Sequence, residues 1–237
     1  MSKSKEGFTT ELRVPHSKCN EASGVSSWLA ELQTMRGEVL FEQGRRPAFR
    51  QSDGTLCDED PLDREAYHVI VRSRGEIAGC ARIMAINRSD SAIVSALGRE
   101  RFDQVINKMG VDPQEVCEAS RWIVHPLYRK SGLAWKLVGT SWAVARCLGT
   151  KFAFVMAGTR DCQDSALARM GARPVEDAPM IISEIYDDVL RLLYFDVTKP
   201  NASMRRAASV IVNRFGFERL DNMPGLENNM AEWGESQ

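Results

Sequence analysis

From Val124 the chain reads Val124-His125-Pro126-Leu127-Tyr128-Arg129-Lys130-Ser131-Gly132-Leu133-Ala134, after which an apolar helical period sets in. Pro126 must end any strand that precedes it, and Gly132 stands where the next helix begins. Such a loop offers unpaired backbone N–H groups, the positive end of a helix dipole and two cations, Arg129 and Lys130, at one point. Together these bind phosphate, so the stretch suits a pyrophosphate or a phosphopantetheine arm. At Gly132 a side chain would hold the phosphate away from the backbone. The same residues also make an ordinary strand-to-helix turn with solvated cations, and the loop alone does not decide between the two.

The elements that must hold this loop follow from hydrophobic periodicity. Glu115 to Val124 reads as a strand leading in, and Gly132 to Leu148 as a helix leading out, closed by Gly149. Upstream, Trp28, Leu29, Leu32, Met35, Val39 and Leu40 predict a helix from Ser26 to about Gly44, with Ser26 or Ser27 as its cap. Residues 45–63 mix basic, acidic, Gly and Pro residues without a period and predict a loop of active-site size. Strands Ala66–Arg72 and Glu76–Ile86 form a hairpin turning at Ser73 to Gly75, and a short helix follows near Arg99 to Met109. After the central helix come a strand, Lys151–Ala157, a helix from about Cys162 to Met170 closed by Gly171, and a strand, Val189–Val197. This order is that of a mixed α/β domain around one sheet. The polar residues 1–24 read as a flexible N-terminal arm or a first edge strand. Beyond Thr198 a basic segment, Met204 to Phe217, gives way to an acidic tail. Residues 25–198 are thus the expected domain and 199–237 a helical or tail appendage.

Composition sets outer limits. With 237 residues, 31 of them basic and 32 acidic, the chain is long enough for one domain with a full core, and the near-balance of charge argues against a large nucleic-acid footprint. Cys19, Cys57, Cys80, Cys117, Cys147 and Cys162 stand singly, without a CxxC pair or histidines at metal-ligand spacing. The expectation is a reduced, cytoplasmic protein without structural zinc or another metal site. The opening MSKSKEGFTTELRV lacks the apolar core of a signal peptide, and no apolar run reaches the roughly 18 residues of a membrane span, so no integral membrane segment is expected.

The pattern Arg129-x-x-Gly132-x-Ala134, after a strand ending in Val-x-Pro and before a long helix, resembles the acyl-CoA motif of GNAT acyltransferases. Ala166-Leu167-Ala168-Arg169-Met170-Gly171-Ala172-Arg173-Pro174-Val175 resembles the helix and turn by which that family returns to its final strands. The resemblance implies the GNAT fold, a central mixed twisted sheet flanked by helices, over residues 25–198. Glu118-Ala119-Ser120-Arg121 is similar to the E-x-S-R signature of acyl-homoserine lactone synthases and of long-chain N-acyl amino acid synthases. Arg36, Asp60, Asp63 and Arg82 fall upstream of it in the order those families show.

These resemblances imply roles. Attack of an amine on a thioester needs a neutral amine, and Glu118 is the base that takes its proton, directly or through water. Arg82 and Arg121 hold the carboxylate of an amino-acid acceptor or brace the acidic residues, while Arg36 orders the loop with Asp60 and Asp63. A backbone N–H near Ile123 or Val124 meets the oxyanion. The residues Arg129, Lys130, Ser131, Gly132, Leu133 and Ala134 receive the donor, an acyl carrier protein thioester or acyl-CoA, which is a co-substrate and not a resident cofactor. An acidic carrier protein would meet Arg129, Lys130 and Lys136, with Arg205 and Arg206. Val138, Trp142 and Phe152 to Val155 suit an acyl tunnel, although core packing is the simpler account of them. No nucleophile is implied, which leaves Cys80, Cys117 and Cys147 to apolar packing.

Two departures bear on the choice within the resemblance. Leu167 stands where many GNAT enzymes place a tyrosine, so protonation of the departing thiolate is unfilled or falls to water. The segment Arg45 to Thr55 lacks the tryptophan usual in lactone synthases, which favours an N-acyl amino acid synthase using acyl carrier protein. The alternatives are an acyl-homoserine lactone synthase using S-adenosylmethionine, an acetyl-CoA-dependent GNAT transferase, and a non-catalytic acyl-donor binding module.

Overall fold

A computed structural model describes residues 7–15, 27–86 and 91–199, together with Ala202 and Met204. The first helix, α1 (Ser27–Phe41), buries Leu29, Leu32, Gln33 and Arg36, spaced to share one face. Gly37 on that helix is a packing requirement: a Cβ there would lie 2.3 Å from the backbone nitrogen of Cys57. Its absence lets the following loop lie on the helix, where the N–H of Asp58 donates to the carbonyl of Gln33 at 3.0 Å. The helix stops at Phe41, earlier than the expected Gly44, because Glu42, Gln43 and Gly44 all take positive φ and turn the chain away. The stretch expected to be a plain loop then contains two short 3-10 turns, Pro47–Phe49 and Pro61–Glu65, each with Pro near its start.

The sheet runs β1 (Phe8–Arg13), β2 (Tyr67–Ser73), β3 (Glu76–Ala85), β4 (Val116–Val124), β5 (Phe152–Gly158), β8 (Asp188–Asp196) and β6 (Arg173–Pro174), with β7 (Ile181–Ser183) also on β8. Neighbours are antiparallel except β4 and β5. Of the two readings of the N-terminal arm, the edge strand is the one Phe8–Arg13 adopt. The short strands β6 and β7 have too few residues to show a period, and sequence analysis missed both.

Alternation on β2 sends Val69 and Val71 to one face and Ile70 to the other. The first face is covered by α4 (Leu133–Cys147), whose Leu133, Leu137, Val138 and Trp142 pack on Ala81, Ile83 and Ala119. The opposite face is shared. At one end α1 covers Ile70, Ile77 and Cys80; at the other Phe102 and Ile106 of α3 (Arg99–Met109) meet Phe154 and Leu192. The helix α2 (Ala92–Leu97), unexpected from sequence, is capped by Ser91, whose hydroxyl accepts from the N–H of Val94. The short α5 (Gln163–Arg169) follows β5.

Two irregularities in β4 prepare a site. It pairs with β5 only from Val116 to Glu118 against Phe152 to Phe154, after which the two strands part. Against β3, Arg82 pairs with Ser120 but Cys80 pairs with Ile123, so an extra residue is held at Arg121 and Trp122. The bulge turns Arg121 to φ +54°, a conformation few L residues adopt.

Candidate active site

Where β4 and β5 part, a cleft of about 1010 Å³ opens. Glu118, Ser120 and Arg121 lie along it with Trp122, Ile123 and Val124 of the same strand. Val138 of α4, Val155 and Met156 of β5, Leu167 of α5 and Leu190 of β8 give it an apolar wall. Of the residues suggested for an acyl tunnel, Val138 and Val155 are on this wall, while Trp142 and Phe154 are packed in the two cores.

Beneath the β4 side of the cleft lies a network of buried charge. Arg36 donates from Nη1 and Nη2 to the two oxygens of Asp63 at 3.0 and 2.5 Å and from Nη2 to the carbonyl of Asp58 at 2.6 Å. Gln33 adds a donor to Asp63 at 3.0 Å. Arg82 donates from Nη1 to Asp60 (2.7 Å) and Asp63 (3.0 Å), and from Nε to the hydroxyl of Ser120 (3.1 Å). Arg121 donates from Nε and Nη2 to Asp58 at 2.7 and 3.2 Å and from Nη2 to Asp60 at 2.9 Å. Burial pushes the Asp63 carboxyl up, but the hydrogen bonds and charge of Arg36, with Arg82 beside it, outweigh that and hold it well below the usual carboxylate range. Asp60 is lowered on the same balance, burial against Arg82 and Arg121.

Sequence analysis grouped Arg36, Asp60, Asp63, Arg82 and Arg121, and the fold brings all five together. It separates them by exposure. Arg36, Asp63 and Arg82 are at most 2% exposed and do not line the cleft, so of the two roles expected for Arg82 its contacts fit bracing the acidic residues, and Arg36 and Asp63 hold the loop rather than face the cleft. Their donors and acceptors are turned on each other and brace the strand. Arg121 does reach the cleft. Asp58 was missed, although it carries as much of the network as Asp60, and so was His68. The imidazole of His68 is buried and donates to the carbonyl of Asp63 at 2.8 Å, and burial lowers its pKa to about 4.

Glu118 stands at the edge of this network, 1% exposed, and lines the cleft. Its Oε2 accepts from the N–H of Ile93 at 3.1 Å. Its Oε1 has no hydrogen-bond partner among the described residues and forms a loose ion pair at 3.6 Å with Nη2 of Arg82, which is likewise buried without a hydrogen bond. An orphaned carboxylate oxygen on a cleft floor is costly for folding alone and useful to a ligand.

Of Ile123 and Val124, the backbone of Val124 is the one free to act. The N–H of His125 donates to Ala78, and the carbonyl of Ile123 sits against Gly79, so both residues direct their polar groups to β3. Alternation therefore turns the N–H of Val124 the other way, toward the gap left by β5.

The loop after β4 is split in a way the sequence did not reveal. Arg129 and Ala134 line the cleft, whereas Leu133 is buried in the α4 core. Ser131 braces the loop: its hydroxyl donates to the carbonyl of Tyr128 at 2.7 Å and accepts from the N–H of Leu133 at 3.3 Å. Gly132 takes φ +84° as the residue before α4, and a Cβ there would meet no atom of the described residues, so its requirement is conformational. Lys130 is exposed at φ +67°. Lys136 is turned elsewhere, its Nζ donating to the carbonyl of Phe8 at 3.3 Å. Arg205 and Arg206 lie outside the described residues.

The far wall comes from the segment after α1 and the β7–β8 turn. Asp161 binds Arg45 at 2.7 Å, and Arg46 donates from Nε to the carbonyl of Tyr186 at 2.7 Å. Tyr186 lines the cleft and was also missed, because nothing in its polar turn sets it apart. Burial pushes the thiols of Cys80 and Cys117 up to about 12 and that of Cys147 up to about 11, so all three remain thiols near neutral pH. Among the described residues no helix is long and apolar enough to cross a membrane.

Comparison with known proteins agrees with this architecture. Residues 36–138 match the family model of the acetyltransferase (GNAT) domain. The CoA-dependent acyl-homoserine lactone synthase BjaI, solved with SAM and isopentyl-CoA, superposes with a TM-score of 0.60 at 17% identity, over 89% of this chain and 90% of that one. The lactone synthase LasI gives 0.57 at 14% identity, covering 86% and 95%. An acyl-CoA N-acyltransferase from Pseudomonas aeruginosa gives 0.51 at 15%, covering 81% and 99%. No curated protein matches the chain in sequence. At these identities the likeness is one of fold.

Proposed function

From the premise that the chain carries a GNAT domain of the acyl-transferring kind, we propose that it moves a fatty acyl group from a phosphopantetheine thioester on acyl carrier protein to the α-amine of an amino acid. The observation that carries this reading is Glu118: a buried carboxylate on the cleft floor with one oxygen unpartnered, beside the point where β4 and β5 part. In this reading Oε1 takes a proton from the acceptor's ammonium group or, through water, from the amine as it attacks. The amine nitrogen bonds to the thioester carbon, the oxyanion accepts from the N–H of Val124, and collapse breaks the C–S bond with the electron pair leaving on sulfur. Leu167, in the cleft wall, cannot protonate that sulfur, so the surplus proton on the nitrogen leaves to water as the C–S bond breaks and the thiolate takes its proton from water in turn.

The size and lining of the cleft support a fatty over an acetyl group, since an acetyl group needs little of the apolar wall from Val138 to Leu190. On the donor side, Arg129 and the first N–H groups of α4 meet the phosphate of the arm. The buried thiols support direct transfer with no acyl-cysteine intermediate. A second reading, an acyl-homoserine lactone synthase, is favoured by one observation, the likeness in fold to BjaI and LasI over most of each chain.

The test is release of free thiol from acyl carrier protein and CoA thioesters with a panel of amino acids and with S-adenosylmethionine. Thiol release with amino acids supports the first reading; release that consumes S-adenosylmethionine and yields a lactone moves the assignment to the second; no release removes both. Glu118→Gln keeps an acceptor for the N–H of Ile93, so we expect the melting temperature to hold while kcat falls about 10²- to 10⁴-fold. A fall of less than about threefold would remove Glu118 as the base.

A further inference from the structure

Besides Oε1 of Glu118, the cleft presents two further polar atoms, one on Arg121 of the buried network and one on Tyr186 beside it. Arg121 spends Nε and Nη2 on Asp58 and Asp60, whereas Nη1 has no partner among the described residues. The side chain is 14% exposed and lines the cleft. Over its guanidinium stands the ring of Tyr186, with Cζ 5.6 Å from the ring centroid. Tyr186 is held from several sides: its ring packs on Phe49 at 5.7 Å, its carbonyl accepts from Arg46, and its N–H donates to the hydroxyl of Ser183 at 3.4 Å. Its own hydroxyl makes no hydrogen bond to any described residue. Burial raises the pKa of that hydroxyl above its ordinary value, so it is a proton-bearing donor at neutral pH. An O–H donor and a partly spent guanidinium, carried by two side chains stacked in one cleft, can together serve as a two-point receptor for a planar anion.

We propose that Tyr186 is a specificity-determining residue whose hydroxyl, together with Nη1 of Arg121, holds the carboxylate of the acceptor. The inference rests on the acyl-transfer reading and sharpens it, because it makes the acceptor an amino acid by its carboxylate as well as its amine. The other two arginines of the network cannot serve: Arg36 and Arg82 are sealed behind β4 with no exposure. Arg46 is taken up by Glu42, Asp161 and the carbonyl of Tyr186. An acceptor held by its carboxylate at Arg121 is then within the same cleft as the unpartnered oxygen of Glu118, which meets its amine. One strand thus presents both ends of the recognition, three residues apart.

The test is equilibrium binding, by calorimetry, of octanoylglycine and N-methyloctanamide to the full chain and to Tyr186→Phe. The two probes share an acyl chain and an amide and differ in the carboxylate. The variant keeps the ring against Phe49 and Arg121, and its melting temperature checks that it folds. We expect octanoylglycine to bind the unaltered chain at least about tenfold more tightly than the amide, and Tyr186→Phe to close that gap to about threefold or less with affinity for the amide unchanged. Absence of the gap, a gap that survives in the variant, or no binding of either probe overturns the proposal. Thiol release is measured alongside. Octanoylglycine binding as expected without turnover of any thioester removes the acyl-transfer reading and leaves the carboxylate receptor standing. If instead Tyr186→Phe lowers kcat while the acceptor KM holds, the hydroxyl serves the departing thiolate and the proposal falls.

Discussion

The two ends of β4 use charge in opposite ways. Around Glu118 to Arg121, arginines and aspartates are withdrawn from water and bound to each other, with a few polar atoms left toward the cleft. Around Arg129 to Gly132, a few residues further on, the side chains are exposed and the first turn of α4 leaves N–H groups open. The buried end fixes geometry, holding the bulge at Arg121 and the position of Glu118. The open end keeps groups available for a partner that arrives from outside. An arginine is therefore no sign of ligand binding by itself: what decides is whether the fold supplies it with a carboxylate. Arg121 stands between the two cases, half engaged and half free.

The sharpest way to break this contrast is to remove one member of the buried set. Arg36→Ala takes from the buried Asp63 its two-point partner, leaving it only Arg82 and Gln33, and from Asp58 one of its two cations; we expect a loss of about 3–5 kcal/mol in unfolding free energy measured by denaturant titration. That is a large part of the stability of an ordinary domain. A loss below about 1 kcal/mol would mean that the network is not the brace assigned to it.

The same contrast explains what sequence reading reached and what it did not. The order of elements was legible because α4 and β8 carry long, clean periods and Pro126 and Gly149 punctuate them. The members of the buried network at positions 36, 60, 63, 82 and 121 were found as a set because they resembled a known pattern. Their division into braces and contacts was invisible, since it depends on how deeply the fold buries each arginine. Asp58 sits in the run Cys57-Asp58-Glu59-Asp60, which reads as a solvated turn; it is buried because Gly37, far upstream, lets that turn lie on α1. The left-handed bulge at Arg121 has no sequence signal, because glycine or asparagine would announce such a position and arginine does not. Tyr186 lies in a short polar turn without a period, and only the folding of β7 onto β8 brings it over Arg121.

A second test of the buried end is its response to acid. His68 is neutral and buried, with its pKa lowered from 6.5 to about 4 mainly by burial. The unfolded chain takes up a proton as pH falls through 6.5, and the folded chain refuses it until about 4. Stability is therefore fully present above pH 6.5 and is lost as pH falls from there toward 4, by about 3 kcal/mol in all. Asp63 and Asp60 are depressed below their ordinary values and titrate lower still, so they do not contribute to this window. Denaturant titrations at pH 7 and pH 5 should show the loss in the unaltered chain and lack most of it in His68→Gln. An equal slope in both would assign the acid sensitivity to other groups.

The open end should respond least in stability and most in its dependence on salt. Arg129 is exposed and makes no side-chain bond to any described residue, so Arg129→Gln has nothing to destabilise. If its charge meets the phosphates of the donor, the variant should raise KM for the acyl donor about three- to tenfold, of order 1 kcal/mol, with kcat and the acceptor KM held. The contact is solvated, so the difference between the two proteins should shrink as salt is raised and the Debye length falls well below about 10 Å. A change that persists in high salt would point to a bidentate contact shielded by the bound donor, and Arg129 would then be as fully engaged as the arginines beneath Glu118. A donor KM unchanged at every salt concentration would leave the phosphate to the backbone of α4 alone, with Arg129 a solvated cation at the cleft mouth.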